Sequence, residues 1–149
     1  MIFFVIIVYI ESRWLSLHYI RISDDPINID PLYRKLVDPR YGGIDMFVGT
    51  VRQWTGDIET TKITYSAYQP MAERQLAKIA APIEAQGGRV VIAHRTGTLN
   101  LTDIAVFVGV AAVHRAEAFK WCQQVIDTLK HEVPIWKKEY DVDKVRWGN

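Results

Sequence analysis

A chain of 149 residues, 49% hydrophobic and 23% charged, carries enough apolar side chains to close a core without staples, and its length suits one soluble globular domain. A formal charge of +1 excludes the basic bias that nucleic-acid binding needs, and no arginine-rich tract or aromatic-basic stripe appears. The single cysteine excludes an internal disulfide framework and a cysteine-based zinc site, and it fits a reducing compartment.

Residues 1–10, M-I-F-F-V-I-I-V-Y-I, are the most apolar stretch at either end of the chain. They fall short of the roughly 20 residues that cross a bilayer. No basic flank precedes them, and the E-S-R-W that follows offers no small-residue cleavage site, which argues against a secretory signal. We read residues 1–18 as a non-domain extension and 19–149 as the domain. An added edge strand and an interfacial anchor are the alternatives.

Residues 19–22 read as a short strand, followed by a turn at Asp24-Asp25-Pro26. Asp30-Pro31 predicts a helix start, the aspartate capping and the proline opening a helix that runs to about residue 37. Residues 44–52 form the next expected strand, and 53–59 a polar, mobile loop. Alternating Ile63, Tyr65 and Ala67 mark a half-buried strand. A second helix is expected over 70–86, with Met71, Leu76, Ile79, Ala80 and Ile83 inward, Pro82 kinking it and Gly87-Gly88 stopping it. Residues 89–94 read as a strand. Turns at 96–98 and 100–103 surround a short extended piece, so the apolar run 105–113 is expected to close a meander or hairpin.

That run leads into His114-Arg115 at a helix N-terminus. Phe119, Cys122, Val125, Ile126, Leu129 and Val133 then recur at helical spacing until Pro134. Cys122 on this stripe is read as packing, not as a nucleophile. Lys130 lies within roughly 40° of Ile126 and Phe119 on the wheel, so it must snorkel out, pair with an acid, or line a pocket. Arg115 on the same helix and Lys137 and Lys138 just beyond it, near free helix amides, point to an anion site. After Pro134 the chain reads as extended to Trp147. Trp121, Trp136 and Trp147 are expected at a partner surface.

His94-Arg95 could form a site pair, although a structural histidine bonding a turn carbonyl is at least as good a reading. Metal-ligand spacings, a phosphate loop and a serine elbow are all absent from the sequence, so no metal or cofactor is expected. Strands and helices intermix without regular alternation, which makes the fold class α+β, one domain of mixed and antiparallel strands packed against helices.

Six motifs together carry a family resemblance: F-V-G-T-V-R at 47–52, Y-S-A-Y-Q-P-M-A-E at 65–73, H-R-T-G-T-L at 94–99, V-H-R-A-E-A-F at 113–119, D-T-L-K at 127–130 and V-P-I-W-K-K-E at 133–139. In this order the chain resembles the large, catalytic subunit of molybdopterin synthase over residues 20–147. The resemblance implies an α/β-hammerhead architecture. It further implies a cytoplasmic sulfurtransferase that converts cyclic pyranopterin monophosphate (precursor Z) to molybdopterin. The sulfur would come from the thiocarboxylated Gly-Gly C-terminus of a small ubiquitin-like subunit, and a homodimer of large subunits would sit within a heterotetramer.

By the same resemblance, Lys130 and Lys137 match the catalytic lysines, His114 and Arg115 a substrate-anion pair, and Arg52 another substrate contact. Thr50, Val51, Lys138 and Glu139 fall in binding segments. Thr50 stands where some relatives carry a basic residue, and relatives continue beyond Trp147. Two other classes stay open on sequence alone, a scaffold that binds the small subunit without catalysis and an enzyme acting on an anionic metabolite without sulfur.

Overall fold

The computed structural model describes residues 18–149. In chain order the elements are β1 (Tyr19–Ser23), α1 (Ile29–Leu36), β2 (Gly43–Thr50), β3 (Trp54–Thr55), β4 (Ile58–Ala67) and α2 (Gln69–Ala85). There follow β5 (Arg89–Arg95), β6 (Gly97–Asn100), β7 (Ile104–Ala112), α3 (Arg115–Glu132), β8 (Ile135–Asp141) and β9 (Val145–Gly148). The expected extension lies outside the described residues except for His18, whose Nδ1 is 3.1 Å from the Glu84 carboxylate.

A four-stranded sheet in the order β1-β5-β7-β2 forms the centre, with β1 parallel to β5 and the other neighbours antiparallel. Strand β7 is apolar at every position because both of its faces are covered. Val106, Val108 and Val110 pack with α2 and α3, while Phe107 and Ala111 pack with Leu32 and Leu36 of α1. The second sheet runs β3-β4-β8-β9, with β6 paired to β4. A small cluster of Val51, Ile63, Leu99 and Ala105 joins the two sheets. The class is therefore α+β, with mixed and antiparallel strands against helices. Among the described residues no helix is long and apolar enough to cross a membrane.

Several local expectations change. Asn28, not Asp30, caps α1, its side chain accepting from the Asp30 amide at 3.3 Å. Asp30 instead pairs with Arg34 one turn on, at 3.1 Å. Residues 53–59 are not an open loop: β3 folds onto β4 through Gly56, whose φ of +59° suits glycine. Strand β7 does not close a meander with β6. It pairs with β5, while β6 crosses to the other sheet and pairs with β4.

Helix α3 is turned on its axis relative to the sequence reading. Ala118, Trp121, Cys122, Val125, Ile126 and Leu129 are buried, whereas Phe119 is 58% exposed. The centre of the buried stripe thus shifts by about 40° toward Trp121. Trp121 fits inside because Gly88 has no Cβ, and one placed there would lie 2.8 Å from the indole. On α2, Met71 is likewise exposed and Ala72 takes the buried place. Pro82 lies inside α2, which continues to Ala85.

Candidate active site

Where the two sheets meet α3, two adjoining depressions share walls formed by Phe47, Gly49, Thr50, Tyr65, Lys130 and Lys137. They make one cleft. Each element delivers its residue for a local reason. Lys130 stands about 110° from the centre of α3's buried stripe, at its flank, so its stem follows the apolar edge while its exposed head reaches the cleft. Its Nζ is 5.9 Å from the Phe47 ring centroid. Gly49 leaves room for that ring, since a Cβ there would meet Phe47 at 3.2 Å and Val106 at 2.6 Å.

Strand alternation on β8 aims Lys137 and Glu139 at the cleft and Lys138 away from it. Lys137 Nζ pairs with Glu139 Oε1 at 2.7 Å, and the second Glu139 oxygen accepts from Arg146. Lys138 lies on the other face, its Nζ 5.2 Å from the rings of both Tyr140 and Trp147. A register shift between Gly49 and Thr50 ends β2. Thr50 and Arg52 then line the cleft, while Val51 turns into the core with Ile63, Leu99 and Ala105. Arg52 Nε donates to Thr55 Oγ1 at 3.1 Å.

Of the residues singled out from sequence, the cleft gathers Lys130, Lys137, Arg52, Thr50 and Glu139. Val51 and Lys138 do not enter it. His114 and Arg115 sit where expected, at the N-cap and first turn of α3, exposed. They stand fifteen and sixteen residues before Lys130, about 22–24 Å along the helix, so a single chain does not bring them to the lysines. Beside them Gly43 allows β2 to pass close, because a Cβ there would come within 3.0 Å of the Arg115 Cα.

Two cleft residues stand outside the site set drawn from the sequence, although His94 was weighed there as half of a site pair with Arg95. Tyr65 and His94 meet edge to face, ring centroids 5.0 Å apart. Burial lowers the His94 pKa to about 4, so the ring is neutral at pH 7, and its Nδ1 donates to the Arg95 carbonyl at 2.9 Å. The turn-carbonyl reading of this histidine therefore holds, although the ring also lines the cleft. Burial and the nearby Glu139 charge raise the Tyr65 hydroxyl pKa. The alternation of β4 was the signal that could have found Tyr65.

Cys122 is buried against the β7 backbone, its Sγ 3.7 Å from the Val108 carbonyl, and burial pushes its thiol up to about 12. It is packing. Among the described residues no group of three or more His, Cys, Asp or Glu side chains could hold a metal ion. Trp136 and Trp147 are exposed as expected, unlike Trp121.

The MoaE protein family profile matches residues 22–132. The molybdopterin synthase catalytic subunit 1 of Mycobacterium tuberculosis is 44% identical over 131 residues, 87% of this chain and 89% of that one. The crystal structure of molybdopterin synthase from Staphylococcus aureus superposes with a TM-score of 0.81 at 35% identity, covering 91% of this chain and 98% of that chain. A complex of subunits 1 and 2 of the molybdopterin-converting factor from Helicobacter pylori shares the fold, with a TM-score of 0.72 at 17% identity over 90% of this chain and 91% of that one. By this family match and these identities, the chain belongs to the MoaE protein family of molybdopterin synthase catalytic subunits, enzymes of molybdenum cofactor biosynthesis.

Proposed function

We propose that the cleft converts cyclic pyranopterin monophosphate to molybdopterin with sulfur from the thiocarboxylated Gly-Gly tail of a small ubiquitin-like subunit. The observation that carries this reading is the convergence of Lys130 and Lys137 on one cleft with Arg52 at its rim. A lysine amine there can take up or give a proton, and an ammonium can stabilise negative charge that develops as the tail's acyl–sulfur bond breaks. Arg52 can hold an anionic group of the substrate by a charge-assisted bond. Thr50 and Glu139 shape and charge the wall between them. The sulfur arrives on the partner's tail, which agrees with a cysteine buried away from the cleft.

The solved Helicobacter pylori complex of two converting-factor subunits supports a small-subunit partner. A homodimer supplies what one chain lacks. His114 and Arg115, about 22–24 Å from Lys130 along α3, would hold the substrate phosphate in a cleft shared with a second copy. The enzyme would act in the cytoplasm as a heterotetramer, with no resident cofactor or metal. Single-turnover conversion of precursor Z with excess thiocarboxylated partner tests the reading. Product should form with the intact chain and should be lost on Lys130→Ala or Lys137→Ala with folding and partner binding retained. Normal rates in both variants would sink it.

A further inference from the structure

We propose that Arg146 is a positioning residue for this reaction, one that holds the Lys137 amine in the cleft through Glu139. The inference rests on the catalytic reading of Lys137 given above. Alternation along β8 puts Lys137, Glu139 and Asp141 on one face. The chain then turns back, and the register of β9 sets Arg146 opposite Glu139 and Gly148 opposite Lys137.

The charges along this face alternate. Glu139 is 8% exposed and gives one oxygen to each neighbour, Oε1 to Lys137 at 2.7 Å and Oε2 to Arg146. Arg146 also clasps Asp141 with Nε and Nη2, and the hydroxyl of buried Thr60 donates to Asp141 Oδ1 at 3.1 Å. Asp141 is held well into its charged form by Arg146, and Arg146 in turn by Asp141.

A lysine head on a four-carbon stem is placed only as well as the acid that holds it. Here that acid is fixed by a planar guanidinium, which is itself forked onto a carboxylate anchored by β4. The ammonium keeps two of its three donors for the cleft. Gly148 clears the path, since a Cβ there would lie 3.3 Å from Lys137 Cε. Removing Arg146 leaves two carboxylates sharing one ammonium, which draws Lys137 along β8 toward Asp141. Arg146 lines neither depression and acts at one remove. Lys130, which faces the Phe47 ring and has no place in this chain of ions, should not respond.

The test uses the full chain with thiocarboxylated partner and precursor Z. Arg146→Ala should lower kcat by about tenfold or more, with KM and partner affinity little changed. Arg146→Lys should recover part of the loss. In a double-mutant cycle Arg146→Ala should add nothing to Lys137→Ala, yet multiply the loss of Lys130→Ala. A second measurement needs no turnover: acylation of surface amines by acetic anhydride, read by mass spectrometry, should label Lys137 severalfold more slowly in Arg146→Ala than in the wild type, because two carboxylates then hold its ammonium, with Lys120 unchanged. Arg146→Gln replaces the alanine variant if that one does not fold. Losses that multiply with Lys137→Ala, or a labelling rate at Lys137 that does not move, overturn the proposal. A wild-type chain that makes no product refutes the catalytic reading instead, and the labelling result then decides this one.

Discussion

The two faces of β8 carry adjacent lysines into different surroundings. On the inner face Lys137 is tied to a carboxylate within an ordered row of ions, over a floor of half-buried Tyr65 and buried His94. On the outer face Lys138 rests between Tyr140 and Trp147, and Lys62 lies over Tyr140 from the neighbouring strand, its Nζ 4.8 Å from the ring centroid. Both lysines belong to one W-K-K-E run, and a strand period of two separates them. Equal charge and adjacency in sequence do not give equal chemistry; the side of the sheet decides. Directional ion pairs hold a group in place, while cation-aromatic contacts on an open face let the lysine head shift over the ring.

The sharpest way to break this comparison is to truncate each lysine in turn. Lys137→Ala should cut single-turnover product formation by about a hundredfold or more, the range of a positioned acid-base group, whereas Lys138→Ala should change it little. Equal losses would erase the distinction between the faces. The next effect is in stability. His94, at the floor of the inner face, is held at about 4, below its ordinary 6.5, so the unfolded chain binds a proton between these values that the folded chain refuses. The contribution is fully present above about pH 6.5 and is lost as the pH falls toward 4, amounting to about 3 kcal/mol. Urea unfolding across that window should show a steeper fall for the wild type than for His94→Gln; parallel curves would contradict it.

Smaller effects sharpen the picture of the inner face. Arg52→Ala should raise substrate KM by the loss of a charge-assisted bond, about 1.5–3 kcal/mol, with less effect on affinity for the small subunit. Titration of both ligands against the variant separates the two. The mildest perturbation is Gly148→Ala, whose new methyl would nudge the Lys137 stem by tenths of an ångström. A loss in kcat of about fivefold or less is expected, in keeping with the steep dependence of rate on placement. An unchanged kcat would mean that β9 does not guide the lysine.

Much of the fold could be read from the residues because its strongest signals are physical. The nine apolar residues at 105–113 predict a strand covered on both faces, and β7 is that strand at Ile104–Ala112. What misled was direction about an axis. Period 3.6 finds the stripe of α3 but not its centre, and a tryptophan admitted by a distant glycine turned the stripe away from Phe119. At the site, Lys130 is read from the sequence as lying inside the apolar stripe, and the turn of α3 puts it at the flank instead; Lys137 was visible by family resemblance. The exclusion of Lys138 and Val51 was not, because it depends on strand phase and on a register shift that leaves little trace in composition. The meeting of Tyr65 and His94 in the cleft was not visible either, because their surroundings come from elements far apart in sequence.

The pairing of β4 with β8 has a consequence for the order in which the molecule assembles. The whole central sheet and the three described helices are encoded before residue 133, and they can close as the chain leaves the ribosome. The cleft cannot. Its Lys137 wall waits for β8 to travel back across the whole domain to β4, a closure over a long loop whose entropy must be met before any contact rewards it. With Lys137 in its proposed role, catalytic competence would arrive as a late kinetic event, after the bulk of the core is in place. Until then the newly made subunit offers Lys130 alone beside an unpaired edge of β4, and its readiness to react is governed by the docking of its last fifteen residues.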